Sequence, residues 1–435
     1  MEKTKSNDLF ERRNKVVSNG VGIFVKTTAK SAKGAIITDL DNNEYIDLGG
    51  GIGVLNAGHC PKEVVEAIKA QADKLIHTCF HVSAYDGYVE LCEKLVEILP
   101  HGDRTKVMLT NTGAESVENA IKIARQATKR PAVICFSDGF HGRSLMGMSL
   151  TSKVTYKTDC GPFAPEVYRM EYPNFYKNGD DLSEDEFSIQ EMARLEEFVK
   201  NYVDVNSVAA IILELVQGEG GFNIAPKKYI KLLRKFCDKY GVMLIFDEVQ
   251  TGFCRTARWG AYQHYDVVPD ISTWAKSMGS GMPIGCVIGK ADVMDAVTPG
   301  TIGGTYLGNP VCCAAALATI KLMKDQKLNE RAAKIGEIFV SKFKTFSELT
   351  PFIGDVRALG AMVAIEFVTD TQSKNPNADF CDKFVAKCLE KNVILLRAGN
   401  SKNIVRILSP IVITDIEIDK ALQIMEDSLK EIIKG

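Results

Sequence analysis

Residues 242–253, "VMLIFDEVQTGF", decide the architecture. The residues from 242 to 246 are apolar without a break, and Asp247 ends the run. A short continuous apolar run reads as a strand buried on both faces, as in a parallel sheet covered by helices. Asp247 then emerges at the strand's C-terminal end, the edge of an open α/β sheet where ligands bind. A buried carboxylate needs a partner, so Asp247 is either a site residue or a structural aspartate capping the next turn.

Working outward, the same kind of run recurs in "KVMLT" (106–110), "AVICFS" (132–137) and "VAAIILELV" (208–216). Between them "ESVENAIKIARQA" (115–127) and "KKYIKLLRKFCDKYG" (227–241) carry apolar residues at three- and four-residue spacing, and Gly241 is a natural helix stop. Strands alternating with helices from about residue 105 to 320 predict an α/β fold, a mostly parallel central sheet with helices on both sides. Both ends of the chain read differently. "AIITDLDNNEYIDL" (35–48) predicts two strands about an Asp-Asn-Asn turn. Beyond residue 330 a long amphipathic helix leads to "GAMVAIEFV" (360–368), a further helix, "VILLR" (393–397) and "IVRILSPIVIT" (404–414). Thr414, with Glu417 three residues on, has the spacing of a capping box. The expectation is a large domain over 61–329, with 1–60 and 330–435 forming one smaller α+β domain. Residues 173–187, "PNFYKNGDDLSEDEF", read as a solvated excursion.

A chain of 435 residues exceeds what one core supports, so two domains are the default. Apolar content of 46% and a formal charge of -2 match a soluble globular protein with no basic face for nucleic acid. No run approaches the roughly 20 apolar residues of a membrane span, and the first residues show no signal-peptide core. The 12 cysteines form no CxxC pair and the six histidines no HExxH, so reduced thiols, a cytoplasmic setting and no metal site are expected.

Two further stretches carry chemistry. In "LTNTGAESVENAIKIAR" (109–125) a strand runs into Asn111, Thr112 and Gly113 before a helix begins. Free amides at a helix N-terminus make an anion site. Thr112 also reads as a plain helix cap completed by Glu115, and the two readings are compatible because they use different donors. In "ISTWAKSMGSGMPIG" (271–285) Lys276 stands between an apolar run and a chain of glycines, 29 residues beyond Asp247. An exposed loop lysine is the plain alternative. An anion cradle, a strand-end carboxylate and a loop lysine together are the fixtures of a pyridoxal phosphate site. There the amine condenses with the aldehyde, the carboxylate keeps the ring nitrogen protonated and the helix terminus takes the phosphate.

Five motifs then occur in order: "FHGRSLMGMSLT" (140–151), "VQGEGGF" (216–222), "IFDEVQTGF" (245–253), "WAKSMGSGMPIG" (274–285) and "GGTYLGNPVCCAAAL" (303–317). With "DLGGGIGVLNAGH" (47–59), "GDVRALGAMVAIEF" (354–367) and "NIVRILSPIVI" (403–413), the chain resembles the class III aminotransferases of pyridoxal phosphate fold type I over nearly its whole length. Within that group it is similar to the 4-aminobutyrate aminotransferases. The resemblance implies that Lys276 is the Schiff-base lysine and proton shuttle and that Asp247 pairs with the pyridinium nitrogen. It implies that Gln250 bonds the ring hydroxyl and that Phe140 and Val249 sandwich the ring, with His141 also at the cofactor. Thr112, Gly113 and Ala114 would hold the phosphate, which Thr305 would reach from a partner subunit in a homodimer with shared active sites.

The resemblance also implies the substrate contacts. Arg143 would take the distal carboxylate, Arg406 the α-carboxylate, and Ile52 would border the substrate. Glu219 would be a switch that closes on Arg406 when the bound amine has no α-carboxylate. Without the motifs, Arg143 reads as a surface residue and Glu219 as a turn residue. The implied reaction is a ping-pong transfer from 4-aminobutyrate to 2-oxoglutarate, giving succinic semialdehyde and glutamate.

Some residues depart from the family pattern. Leu215 stands where proline is usual, Ala114 where serine is frequent, and Cys254, Ala257 and Leu307 where glycine or a small residue is common. The expectation is a lost phosphate bond at Ala114 and a reshaped entrance beside Cys254 and Ala257. Rival readings are a class III enzyme for ornithine, acetylornithine, a β-amino acid or a diamine, and a racemase of the same subgroup. "GGGIGVLNAG" does not fit the GxGxxG of a nicotinamide enzyme, and no basic module marks a DNA-binding regulator.

Overall fold

The computed structural model describes residues 4–179 and 181–434. Near the start, β1 (Ser31–Lys33), β2 (Ile36–Thr38) and β3 (Glu44–Asp47) form a meander. The β2–β3 turn closes on Asp39, whose Oδ1 accepts the amides of Asp41 and Asn43 at 2.9 and 2.8 Å, while Asn42 sits at φ 67°. Next come β4 (Thr105–Thr110), β5 (Ala132–Phe136), β6 (Val167–Met170) and β7 (Val208–Leu213). A short ribbon, β8 (Val216–Gln217) with β9 (Asn223–Ile224), precedes β10 (Met243–Asp247), β11 (Ile271–Trp274) and β12 (Gly285–Lys290). The last strands are β13 (Ile353–Leu359), β14 (Met362–Phe367), β15 (Val393–Ile394), β16 (Leu396–Ala398) and β17 (Ile404–Ile407).

The central sheet has the order β4-β12-β11-β10-β7-β5-β6, with β12 running against both its neighbours and the other pairs parallel. Period-2 alternation feeds two cores. Ile211 and Leu244 pack on the side of helix Lys227–Tyr240, with its Tyr229, Ile230 and Leu233. Ile212 and Ile245 pack on the other side with Val117, Ile121 and Ala124 of helix Gly113–Thr128. Each such buried aliphatic side chain contributes about 1.5–3 kcal/mol of transfer free energy. Strand β15 pairs in parallel with β3, so both ends of the chain share one sheet. A second sheet, β13-β14-β17-β16, carries Arg406 on β17 opposite Ala364 and Leu396.

Several expected strands are shorter than their apolar runs. "VAAIILELV" breaks after Leu213, because Glu214 turns into the interior and Val216 joins the ribbon. "VILLR" divides at Leu395 between two sheets. "IVRILSPIVIT" is strand only to Ile407; the amides of Leu408 and Ile411 donate instead to Leu48 and Asn56 carbonyls. Strands β1, β6, β9, β11, β12 and β13 have no counterpart among the strands expected. Residues 173–187 are solvated only in part: 181–186 are exposed, while the flanking residues pack. Asn174 caps a short helix, Phe175–Asn178, and the Phe175 and Phe187 rings lie 5.5 Å apart, Phe187 being buried. Ser183 and Glu186 form a capping box for helix Glu184–Asn201, while Asp180 of this stretch lies outside the described residues. The capping box at Thr414 and Glu417 forms as expected.

The cysteines among the described residues are all free, most of them buried, and no described helix is long and apolar enough to cross a membrane.

Candidate active site

The C-terminal ends of β4, β5, β7, β10 and β11 surround a cavity of about 490 Å³. After β4 it is lined by Asn111, Thr112, Gly113 and Ala114; after β5 by Phe140, His141 and Arg143. Glu214, Gly218 and Glu219 follow β7; Asp247 ends β10, with Val249 and Gln250 just beyond it; Lys276 follows β11. Residues up to 165 positions apart in sequence are thus gathered at one sheet edge, where strand ends present side chains that the strands themselves cannot bury.

Asp247 is buried and fully engaged. Its Oδ2 lies 2.7 Å from His141 Nδ1, and its Oδ1 accepts from Thr273 Oγ1 and the Val249 amide, each at 3.1 Å. Burial lowers the His141 pKa, but the bond and charge of Asp247 outweigh it and leave the imidazole above its ordinary value. Asp247 thus fixes the turn through the Val249 amide and also lines the cavity.

Lys276 occupies a left-handed backbone position, φ 48°, which is uncommon for a non-glycine residue and costs about 1–3 kcal/mol. Ser277 helps to hold the turn by donating to the Gly53 carbonyl at 2.9 Å. Burial lowers the amine's pKa to about 8; Glu219 opposes this and Arg406 adds to it. Gly281, in the lining near the lysine, has φ 104°, a bend that side-chain-bearing residues rarely adopt.

Arg406 is buried, and its Nη2 pairs with Glu219 Oε1 at 2.7 Å while Nη1 donates to the Gly218 carbonyl at 3.0 Å. Burial pushes the Glu219 pKa up, yet the adjacent Arg406 prevails and holds it below the usual carboxylate range. Glu219 is further fixed at its backbone, where its carbonyl accepts from Gly399 N at 2.9 Å. Arg143 has no carboxylate partner among the described ion pairs; its guanidinium carbon lies 5.7 Å from the Tyr156 ring centroid.

At the start of helix Gly113–Thr128, Thr112 Oγ1 accepts from Glu115 N at 3.2 Å. The expected capping box is displaced by one residue, since Glu115 Oε2 accepts from Asn111 N rather than from Thr112. The Gly113 and Ala114 amides are first-turn groups, which the helix itself leaves without acceptors. A Cβ on Gly113 would come within 2.8 Å of Val249 Cγ1, so the backbone there stays close to β10 only as glycine.

Not every expected residue reaches the cavity. Ile52 has φ 64° in the turn Gly50–Gly53 and does not line it, although Val54 does. Thr305 is exposed, outside the lining of the single chain. Cys254 and Ala257 do not reshape the entrance: Cys254 is buried, and their loop packs on the β13–β14 turn, where Ala361 N donates to the Arg255 carbonyl at 2.9 Å. Leu307 is buried away from the lining, and Leu215 sends its carbonyl to Ala225 N at 3.0 Å.

Among the residues that escaped the sequence reading are Glu214, in the lining, and Tyr156, behind it. Glu214 accepts from Phe140 N and Gly218 N, both at 2.9 Å, and burial raises its pKa to about 7. It ends an apolar strand just as Asp247 does, so the same signal was present. Tyr156 has no such signal; it ends a short 3-10 helix, Val154–Tyr156, and reaches Glu219 only through the fold.

The set fits pyridoxal phosphate. Gln250 Oε1 is buried without a protein partner, as a group awaiting a ligand would be. First-turn amides, a buried strand-end carboxylate and an amine of lowered pKa line the same cavity.

The family model for class III aminotransferases matches residues 17–429. A probable 4-aminobutyrate aminotransferase of Bacillus subtilis is 43% identical over 97% of this chain and 97% of its own. A 5-aminovalerate aminotransferase of Pseudomonas putida is also 43% identical, over 99% of this chain and 100% of its own. Among solved structures, a taurine:2-oxoglutarate aminotransferase from Bifidobacterium kashiwanohense, in complex with pyridoxal phosphate and glutamate, aligns with a TM-score of 0.92. It is 26% identical and covers 100% of both chains.

Proposed function

This chain belongs to the class III aminotransferases, which use pyridoxal phosphate, and from that premise we propose that it moves the ω-amino group of 4-aminobutyrate to 2-oxoglutarate. The observation that carries the reading is the buried Glu219–Arg406 pair in a site that also holds Arg143. Arg143 takes the carboxylate common to both substrates. Arg406 takes the α-carboxylate of glutamate or 2-oxoglutarate by a planar two-point contact. With 4-aminobutyrate bound there is no α-carboxylate, and an unpaired buried arginine costs about 3–5 kcal/mol. Glu219 removes that cost by closing on Arg406 and opens again for the second substrate.

Pyridoxal phosphate, when bound, supplies an electron sink for the carbon that loses its proton. Asp247, set by His141, would hold positive charge at the ring nitrogen, and Gln250, whose buried Oε1 has no protein partner, would meet the ring hydroxyl. Phe140 and Val249 would flank the ring, and the Gly113 and Ala114 amides with Thr112 would receive the phosphate. Lys276 Nζ, which lines the cavity, would accept the proton that leaves the amine-bearing carbon and would give it back. A base works best with a pKa near the working pH, and a value of about 8 suits that role.

A homodimer with Thr305 reaching the other copy's phosphate is part of the proposal. Tyr306, Ile76 and Val82 support it, being 64%, 62% and 82% exposed, apolar surface of the kind that a second chain covers.

Mixing holoenzyme with 4-aminobutyrate alone should convert the cofactor's yellow absorbance to that of its aminated form; an unchanged spectrum rejects this donor. 5-Aminovalerate belongs in the same assay, because one methylene changes selectivity by only about 1–3 kcal/mol. Glu219→Gln should weaken the ω-amine half-reaction more than the glutamate half-reaction.

A further inference from the structure

Tyr156 stands at the junction of the two carboxylate sites. Its hydroxyl donates to Glu219 Oε2 at 3.3 Å, the oxygen not used by Arg406. Its ring meets Phe140 edge to face, centroids 5.4 Å apart at 71°. Arg143 and Lys153 each lie against the ring, at 5.7 and 5.5 Å from its centroid. The side chain is half-buried and does not line the cavity, so it acts through other residues.

We propose that Tyr156 is a positioning residue that biases Glu219 toward its closed, Arg406-paired position and thereby sets the preference of the site for ω-amines over α-amino acids. This rests on the reading of Glu219 as the switch. In the closed position Glu219 has two side-chain partners, Arg406 and Tyr156. When it swings away from Arg406, the Tyr156 bond is lost with the ion pair, so the hydroxyl stabilises the closed state only. A ligand that needs Arg406 must overcome that extra term, while one that uses Arg143 alone does not. The ring has a separate part, as a platform for the Arg143 guanidinium, and that part serves both substrates equally.

Tyr156→Phe removes the hydroxyl and keeps the platform. A hydrogen bond of ordinary net strength predicts about a two- to tenfold shift. Calorimetry on the holoenzyme would use glutarate, which spans both arginines, and butyrate, which has one carboxylate. In Tyr156→Phe glutarate should bind about two- to tenfold more tightly relative to butyrate. The ratio of glutamate to 4-aminobutyrate half-reaction efficiencies should move the same way. Tyr156→Leu should in addition weaken both ligands through Arg143. Unchanged ratios in Tyr156→Phe, or a shift toward the ω-ligand, would overturn the proposal. Glu219→Gln separates the two levels: if it splits the half-reactions and Tyr156→Phe does not, only the tyrosine's role fails. If neither variant splits them, the switch falls as well.

Discussion

His141 and Asp247 are locked together at 2.7 Å, Nδ1 to Oδ2, with side chains only 1% and 4% exposed. Such a pair is costly to break from either side, because the remaining partner stays buried without compensation. His141→Ala should therefore destabilise the cofactor-free protein by about 3–5 kcal/mol, seen as a lowered Tm. Asp247→Ala should do the same, and the double variant should lose less than the sum of the two. Additive losses would mean that the pair is not coupled.

Lys276 offers a direct measure of how dry the cavity is. Burial brings its pKa to about 8 from 10.5, and only the neutral amine reacts with acylating reagents. In cofactor-free protein, the rate of Lys276 acylation, followed peptide by peptide, should rise with pH through a midpoint near 8. Exposed lysines in the same sample should keep rising toward 10 and beyond. A Lys276 midpoint near 10.5 would show that the site leaves this amine solvated.

Arg143 is predicted to serve the carboxylate shared by both substrates rather than either amine. Arg143→Ala should lower kcat/KM about ten- to hundredfold for 4-aminobutyrate and for glutamate alike, the worth of charged hydrogen bonds. An alkyl amine without a carboxylate should lose little. Arg143→Lys should recover only part of the activity, since a point charge cannot copy the two-pronged contact. Equal losses with the alkyl amine would place Arg143 at the cofactor instead.

The strands that hold this site were legible where a residue's neighbours in sequence decide its surroundings. Asp247 after Phe246, and Gly113 after β4, could be read because an apolar run followed by a polar or small residue marks a strand end whatever the rest of the fold. The same rule reached too far in 404–414. There the apolar residues beyond Ile407 are buried by loop packing on Leu48 and Asn56, and hydrophobicity alone does not distinguish a ladder from a packed coil. The partners of Glu219 were out of reach of the residue pattern itself. Arg406 is 187 positions away on a different sheet, and only the resemblance to a family joined them. Tyr156 was invisible for both reasons: it ends a single 3-10 turn with no apolar pattern, and its contacts are set by two other segments, one with Phe140 and Arg143 and one with Glu219.

Glu248, next to Asp247 but turned away from the cavity, should govern part of the protein's response to pH. Its Oε2 accepts from Ala261 N at 2.9 Å and its Oε1 from Tyr262 N at 2.8 Å, which ties β10 to the segment that follows. Burial raises its pKa to about 7 from 4.5. Between those values the folded state keeps a proton that the unfolded chain has already released. The folded state binds more protons in that window, so stability falls as pH rises through it. A shift of this size corresponds to roughly 3 kcal/mol across the window, at about 1.4 kcal/mol per unit. Glu248→Gln cannot titrate, so its Tm should fall less than that of the unmodified protein between pH 5 and 7, whatever constant offset the substitution brings. Glu214, whose pKa is also raised to about 7, will leave a residual slope in the variant. Parallel Tm curves for the two proteins would show that Glu248 is already ionised in the fold, held by its amide donors against the cost of burial.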